Sequence, residues 1–189
     1  MSEDPASALA ESVRRLIDAT IRTLADDATI TSARRQIDSL TTQLTVDAIP
    51  DSFGVQHRGG MSPVAGNAVI GTRNAIAPPL TIHHHDDGGV WTDLTLGAGY
   101  EGPAGHVHGG VCAMILDHVL GAAVHQPGRP AVTGTLTLRY RRPTPLGSAL
   151  RAEAKIRDSE GSKTFVDGRI THCGAVTVEA DGVFIFPRS

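Results

Sequence analysis

Lysine is nearly absent from this 189-residue chain, standing only at Lys155 and Lys163, and cysteine occurs just twice, at Cys112 and Cys173. Two isolated thiols exclude a disulfide framework and fit a reducing cytoplasm. The scarcity of lysine leaves basic charge to arginine, and with a formal net charge of −3 there is no general basic surface for nucleic acid or a membrane. No apolar run approaches the roughly 18 residues a membrane-crossing helix needs. The opening Met-Ser-Glu-Asp-Pro is acidic and lacks the apolar core of a secretory leader. No Gly-x-Ser-x-Gly elbow is present, which removes the usual serine hydrolase from consideration.

What is present suffices for one folded domain with an extension. Hydrophobic residues make up 40% of the chain and charged residues 20%, the balance of a globular protein with a core. Charge is unevenly spread. Residues 1–50 carry eight acids against five arginines, whereas 127–169 carry nine Lys/Arg against four acids. The second segment could meet an anionic ligand or simply be alternating outward charge on strands.

Residues 1–50 read as a helical extension. Pro5 suits a first turn. Leu9, Val13, Leu16, Ile17, Ile21 and Leu24 recur at three- and four-residue spacing, and after a break near Asp26–Thr31 the pattern resumes with Ile37, Leu40 and Leu44. Residues 51–79, rich in Gly, Pro, Asn and Ser, read as a meandering linker. From residue 80 onward the pattern becomes that of strands. Leu80–Ile82 and Val90–Leu96 alternate, with His83–Gly89 as the turn between them. A helix is expected over 108–124. Strands then follow at Val132–Arg141, Leu150–Asp158, Lys163–Cys173 and Ala175–Phe186. Short breaks between them favour hairpins, so the expected fold is α+β, an antiparallel sheet wrapped around one apolar helix.

Inside that helix stands an acid. From Gly109 to Val124 only Asp117 and His118 are polar. An acid buried in an apolar run is costly unless it is paired or used, and out of water it is a stronger base. The run opens with His108-Gly109-Gly110, a helix start that exposes backbone N–H groups. A base and exposed N–H donors are two of the parts acyl transfer requires.

The stretch Glu101-Gly-Pro-Ala-Gly-His-Val-His108-Gly-Gly110, followed by Asp117, Thr133 and Tyr140-Arg-Arg-Pro-Thr-Pro-Leu-Gly147, resembles the hotdog-fold acyl-CoA thioesterases, nearest the PaaI-like branch. The resemblance covers roughly residues 75–186. It implies that Asp117 is the nucleophile or the general base toward water, that Gly109 N–H meets the thioester oxygen, and that Thr133 places the carboxylate or the water. Gly110 and His106 fall at the substrate mouth. Tyr140, Arg141, Arg142 and Pro143, together with the turn Gly161-Ser162-Lys163, match the edges that hold coenzyme A, where Arg and Lys suit phosphates. Several relatives carry an Asn shortly before His-Gly-Gly or further upstream; here the nearby positions are Gly102, Pro103 and Ala104, so a second carbonyl donor is unassigned.

Other histidines are read from position. His108 either shapes the turn through a ring nitrogen or moves a proton. His118 points about 100° away from Asp117 on a helix and suits an interface. His83, His84 and His85, with Asp86 and Asp87, are adjacent on a turn and cannot all face one ion, so no metal is expected. No cofactor is expected either, coenzyme A being part of the substrate.

Helix geometry bears on assembly. Gly109 and Asp117 are eight residues apart, about 12 Å along one helix, yet a reacting carbonyl must lie about 3 Å from both groups. One chain can hardly supply both, so a homodimer or dimer of dimers with a composite site is expected. A non-catalytic acyl-CoA or fatty-acid binding module and an acyl-CoA hydratase or dehydratase are the alternatives. The second lacks its Asp and His loop here.

Overall fold

The computed structural model describes residues 4–49, 62–126 and 130–187. It divides into two compact units, one formed by the N-terminal part with 71–75, the other by 68–70 and 76 onward.

The N-terminal unit holds α1 (Pro5–Arg22) and α2 (Asp27–Thr45). Each start has a physical cause. The Asp4 carboxylate accepts from Ala6 N and Ser7 N ahead of Pro5, and the Asp26 carboxylate accepts from Thr29 N at 2.8 Å. The break therefore falls earlier than the apolar pattern suggests, over 23–26. Leu24, counted with the first apolar face, lies in the break and is fully exposed. Arg14 ties α1 to the 71–74 turns by donating to the carbonyls of Gly71, Thr72 and Asn74. Of the expected linker, residues 51–61 lie outside the described residues, and Pro63–Gly66 form a 3-10 turn.

The second unit is a six-stranded antiparallel sheet packed against one helix. The strands are β1 (His83–His84), β2 (Val90–Leu94), β3 (Val132–Tyr140), β4 (Leu150–Glu160), β5 (Lys163–His172) and β6 (Ala175–Ile185), in the order β1-β2-β4-β5-β6-β3. The helix, α3 (Gly109–Val124), packs against β2 to β6. The first strand differs from expectation. Leu80–Ile82 is not paired as a strand; Leu80 N instead donates to Val69 O, and pairing with β2 begins at His83 and His84. The turn is correspondingly shorter, closed by His85 N to Gly89 O at 2.8 Å.

Helix α3 buries Cys112, Ile115, Leu116, Val119, Leu120 and Val124, the three- and four-residue spacing of a single face. Against it lie inward residues of the strands: Val90, Leu150, Ala152, Val166, Ile170, Val178, Ala180 and Phe184. Two glycines let the helix approach. A Cβ on Gly168 would strike the Leu120 side chain, and one on Gly182 would lie 2.7 Å from Leu120 Cδ2. Gly168→Val should therefore destabilise the unit by about 1–3 kcal/mol, the cost of overpacking a close-packed core. Chemical denaturation measures this, and unchanged stability would show that the helix can move away.

The outer face of the sheet is a lattice of ion pairs: Arg139–Asp181, Arg141–Glu179, Arg151–Asp93, Lys155–Asp87, Arg157–Asp167 and Arg169–Glu153. The basic excess read in 127–169 is thus largely neutralised by acids elsewhere in the sequence. In that segment Arg142 and Lys163 alone are without an ion pair among the described residues.

Candidate active site

The start of α3 is built by a loop laced to the segment after β3. Val107 N donates to Thr144 O, Leu146 N to Gly105 O, and His108 N to Tyr100 O. Within the loop, Gly105 N donates to the Glu101 carboxylate at 2.7 Å, and Gly105 has φ of +75°, a conformation glycine adopts without strain. His106 bridges to Pro145, and its Nδ1 lies 2.9 Å from Ala104 O. The sequence signal for this loop is the Glu101-x-x-x-Gly105 spacing, which carries no periodicity of helix or strand.

His108 is the N-cap of α3. Its Nδ1 accepts from Gly110 N at 3.0 Å, so in the neutral ring the proton sits on Nε2. Val111 N and Cys112 N both donate to His108 O. Gly109 N–H is then the one donor of the first turn without an acceptor among the described residues. A free amide at the positive end of a 16-residue helix favours an anionic oxygen. Tyr140 closes over it: the hydroxyl donates to Gly109 O at 2.9 Å, and the ring lies 3.3 Å from where a Cβ on Gly109 would stand.

Two turns further along α3, Asp117 accepts a hydrogen bond from Thr133 Oγ1 at 2.9 Å. These residues are sixteen apart in sequence, and a β-bulge between Thr133 and Thr135 re-aims the strand there. Asp117 is half-buried in the single chain, not buried as the apolar run suggested; the strand it meets, β3, is the last of the sheet. Burial pushes the neighbouring His118 imidazole below its ordinary value, partly offset by the charge of Asp117. His118 is thus held toward its neutral form beside the acid. Cys112 is buried, 3.8 Å from Thr144 Oγ1, and burial pushes its thiol up.

The sequence-derived site residues fall into two groups. Gly109, Gly110, His106, His108, Tyr140, Arg141, Arg142 and Pro143 gather where β3 ends. Asp117 and Thr133 stand where β3 begins, and Gly161, Ser162 and Lys163 stand at that same end of the sheet, since both Val132 and Lys163 pair with Ile185. Tyr140 pairs with Val178 at the far end. Thr133 and Tyr140 are roughly 20 Å apart at strand spacing. Arg139 and Arg141 do share one face, as alternation requires, but each is engaged by an acid of β6. Among the described residues no group of His, Cys, Asp and Glu could hold a metal ion.

An antiparallel sheet packed on a long apolar helix, with an acid on that helix and a free amide at its start, is the hotdog architecture. Residues 104–178 match the family described as thioesterase superfamily. A solved thioesterase superfamily protein shares 32% identity and a TM-score of 0.84 over 97% of this chain and 92% of its own. The chain belongs to the thioesterase superfamily. It is also 34% identical over 87 residues to the acyl-coenzyme A thioesterase THEM4 of Xenopus laevis, a match covering 45% of this chain and 39% of that protein. The chain thus spans about two fifths of the length of this curated relative. The E. coli PaaI protein from the phenylacetic acid degradation operon has the same fold, with a TM-score of 0.54 and 21% identity over 59% of this chain and 82% of its own.

Proposed function

We propose that the chain hydrolyses acyl-CoA thioesters at a site completed by a second copy of itself, in the cytoplasm. The observation that carries this reading is the position of β3. It has β6 on one side and no strand on the other among the described residues, and it holds the two half-sites at its opposite ends. An uncovered nine-residue edge is a template for strand pairing. If two copies of β3 pair antiparallel about a two-fold axis, the Tyr140 end of each lies beside the Thr133 end of the other. Gly109 N–H of one chain then faces Asp117 of its partner. The same operation brings Arg142 of one chain toward Lys163 of the other, cations without an ion pair among the described residues and suited to the phosphates of coenzyme A.

The chemistry follows from these groups. Asp117, oriented by the Thr133 hydroxyl, takes a proton from water, and the water oxygen bonds to the thioester carbon. Charge moves to the carbonyl oxygen, where Gly109 N–H and the α3 N-terminus stabilise it. Collapse re-forms the carbonyl and breaks the carbon–sulfur bond. The CoA thiolate leaves and takes up a proton, and the free acid remains. THEM4 of Xenopus laevis, an acyl-coenzyme A thioesterase by name, supports the substrate class.

Thiol release from a panel of short, long and aryl acyl-CoAs tests the reading. Turnover on at least one class is expected. No turnover on any thioester, with coenzyme A still bound, would leave a binding module instead.

A further inference from the structure

Resemblance places Tyr140 at the coenzyme A edge, yet its hydroxyl hydrogen is directed at the start of α3. It donates to Gly109 O at 2.9 Å, and its Cε1 and Oη stand 3.3 Å from the position of a Cβ on Gly109. The peptide joining Gly109 to Gly110 is consequently held at both polar atoms. Its oxygen takes the Tyr140 proton, and its N–H is spent on His108 Nδ1 at 3.0 Å. Glycines at 109 and 110 have no side chains to hold their own backbone angles. Gly109 N–H belongs to the preceding peptide, whose oxygen, His108 O, accepts from Val111 N and Cys112 N. Tyr140 acts on it across the Gly109 Cα, by fixing the peptide on the other side of a residue with no side chain to limit its rotation.

We infer that Tyr140 is a positioning residue, one that aims the Gly109 amide at the thioester oxygen rather than gripping coenzyme A. This rests on the reading of Gly109 N–H as the oxyanion donor. Tyr140 is the last residue of the edge strand β3, so the phenol joins the surface on which a second copy would pair to the helix start that would meet its substrate. Pairing of β3 thereby orders the oxyanion donor as well as bringing the partner's acid.

The test is Tyr140→Phe, which keeps the ring against Gly109 and removes only the donor. Losing an oxyanion donor outright costs about 10²–10³ in kcat, so loosening its aim should cost about tenfold, with KM within about twofold. The oligomeric state should not change. In ¹H–¹⁵N spectra the Gly109 and Gly110 amides should shift, and Gly110 should exchange faster. A raised KM at unchanged kcat would return Tyr140 to substrate binding and overturn the inference. So would unmoved glycine amides. Should the wild type hydrolyse no thioester, the functional reading fails, and the amide spectra still decide whether Tyr140 holds the turn.

Discussion

Asp117→Asn should lower kcat about a thousandfold, mid-range for a lost general base, while leaving the fold and oligomeric state intact. Asparagine has the same shape, and its amide oxygen still accepts from Thr133 Oγ1, the one side-chain hydrogen bond of Asp117 among the described residues. What disappears is the capacity to take a proton. KM for the acyl-CoA should move little, because in the proposed mechanism the carboxylate acts on the attacking water and not on the nucleotide. Thiol-release kinetics measure both constants. A variant retaining more than a tenth of wild-type kcat would remove Asp117 from the chemistry and leave it a structural acid held by Thr133.

Gly109→Val should lower kcat about a hundredfold, at the lower edge of what a lost oxyanion donor costs. The amide hydrogen survives this substitution; its direction does not. Even a bare Cβ would sit 3.3 Å from the Tyr140 ring, tight enough to demand movement, and the two methyl groups beyond it lie further into that ring. Either Tyr140 swings away, releasing Gly109 O, or the peptide rotates. Either movement changes the backbone angles at Gly109 and, across its Cα, the direction expected for the free N–H. Since Gly109 is at the first turn and only half-buried, the thermal midpoint should change much less than kcat. Activity within threefold of wild type would show that the oxyanion is stabilised elsewhere.

Much of this arrangement was readable from local pattern. Helix α3 is legible as a run from Gly109 to Val124 that is apolar save for Asp117 and His118, behind a His-Gly-Gly start. The hairpins announced themselves through Gly161 and Gly174, which take positive φ in the turns. The pairing of Asp117 with Thr133 came from resemblance, since no periodicity links residues sixteen apart. What sequence could not provide was register. Arg141 reads as available for phosphates because Glu179, its partner on β6, lies some forty residues away. Asp117 looked buried because an apolar run does not reveal which face the sheet covers. Nor could any local signal connect the Tyr140 hydroxyl to Gly109, thirty-one residues earlier.

The composite site is tested most directly by combining two disabled chains. Asp117→Asn and Gly109→Val, each carrying a different tag, are co-expressed and the mixed dimers isolated through both tags. If Gly109 of one chain serves Asp117 of the other, each mixed dimer contains one intact site and one doubly damaged site. Turnover per dimer should then recover to about half that of the wild type, far above either parent variant. If each site is built within one chain, every site in the mixed dimer is damaged, and turnover no better than that of the two parents would contradict the shared site.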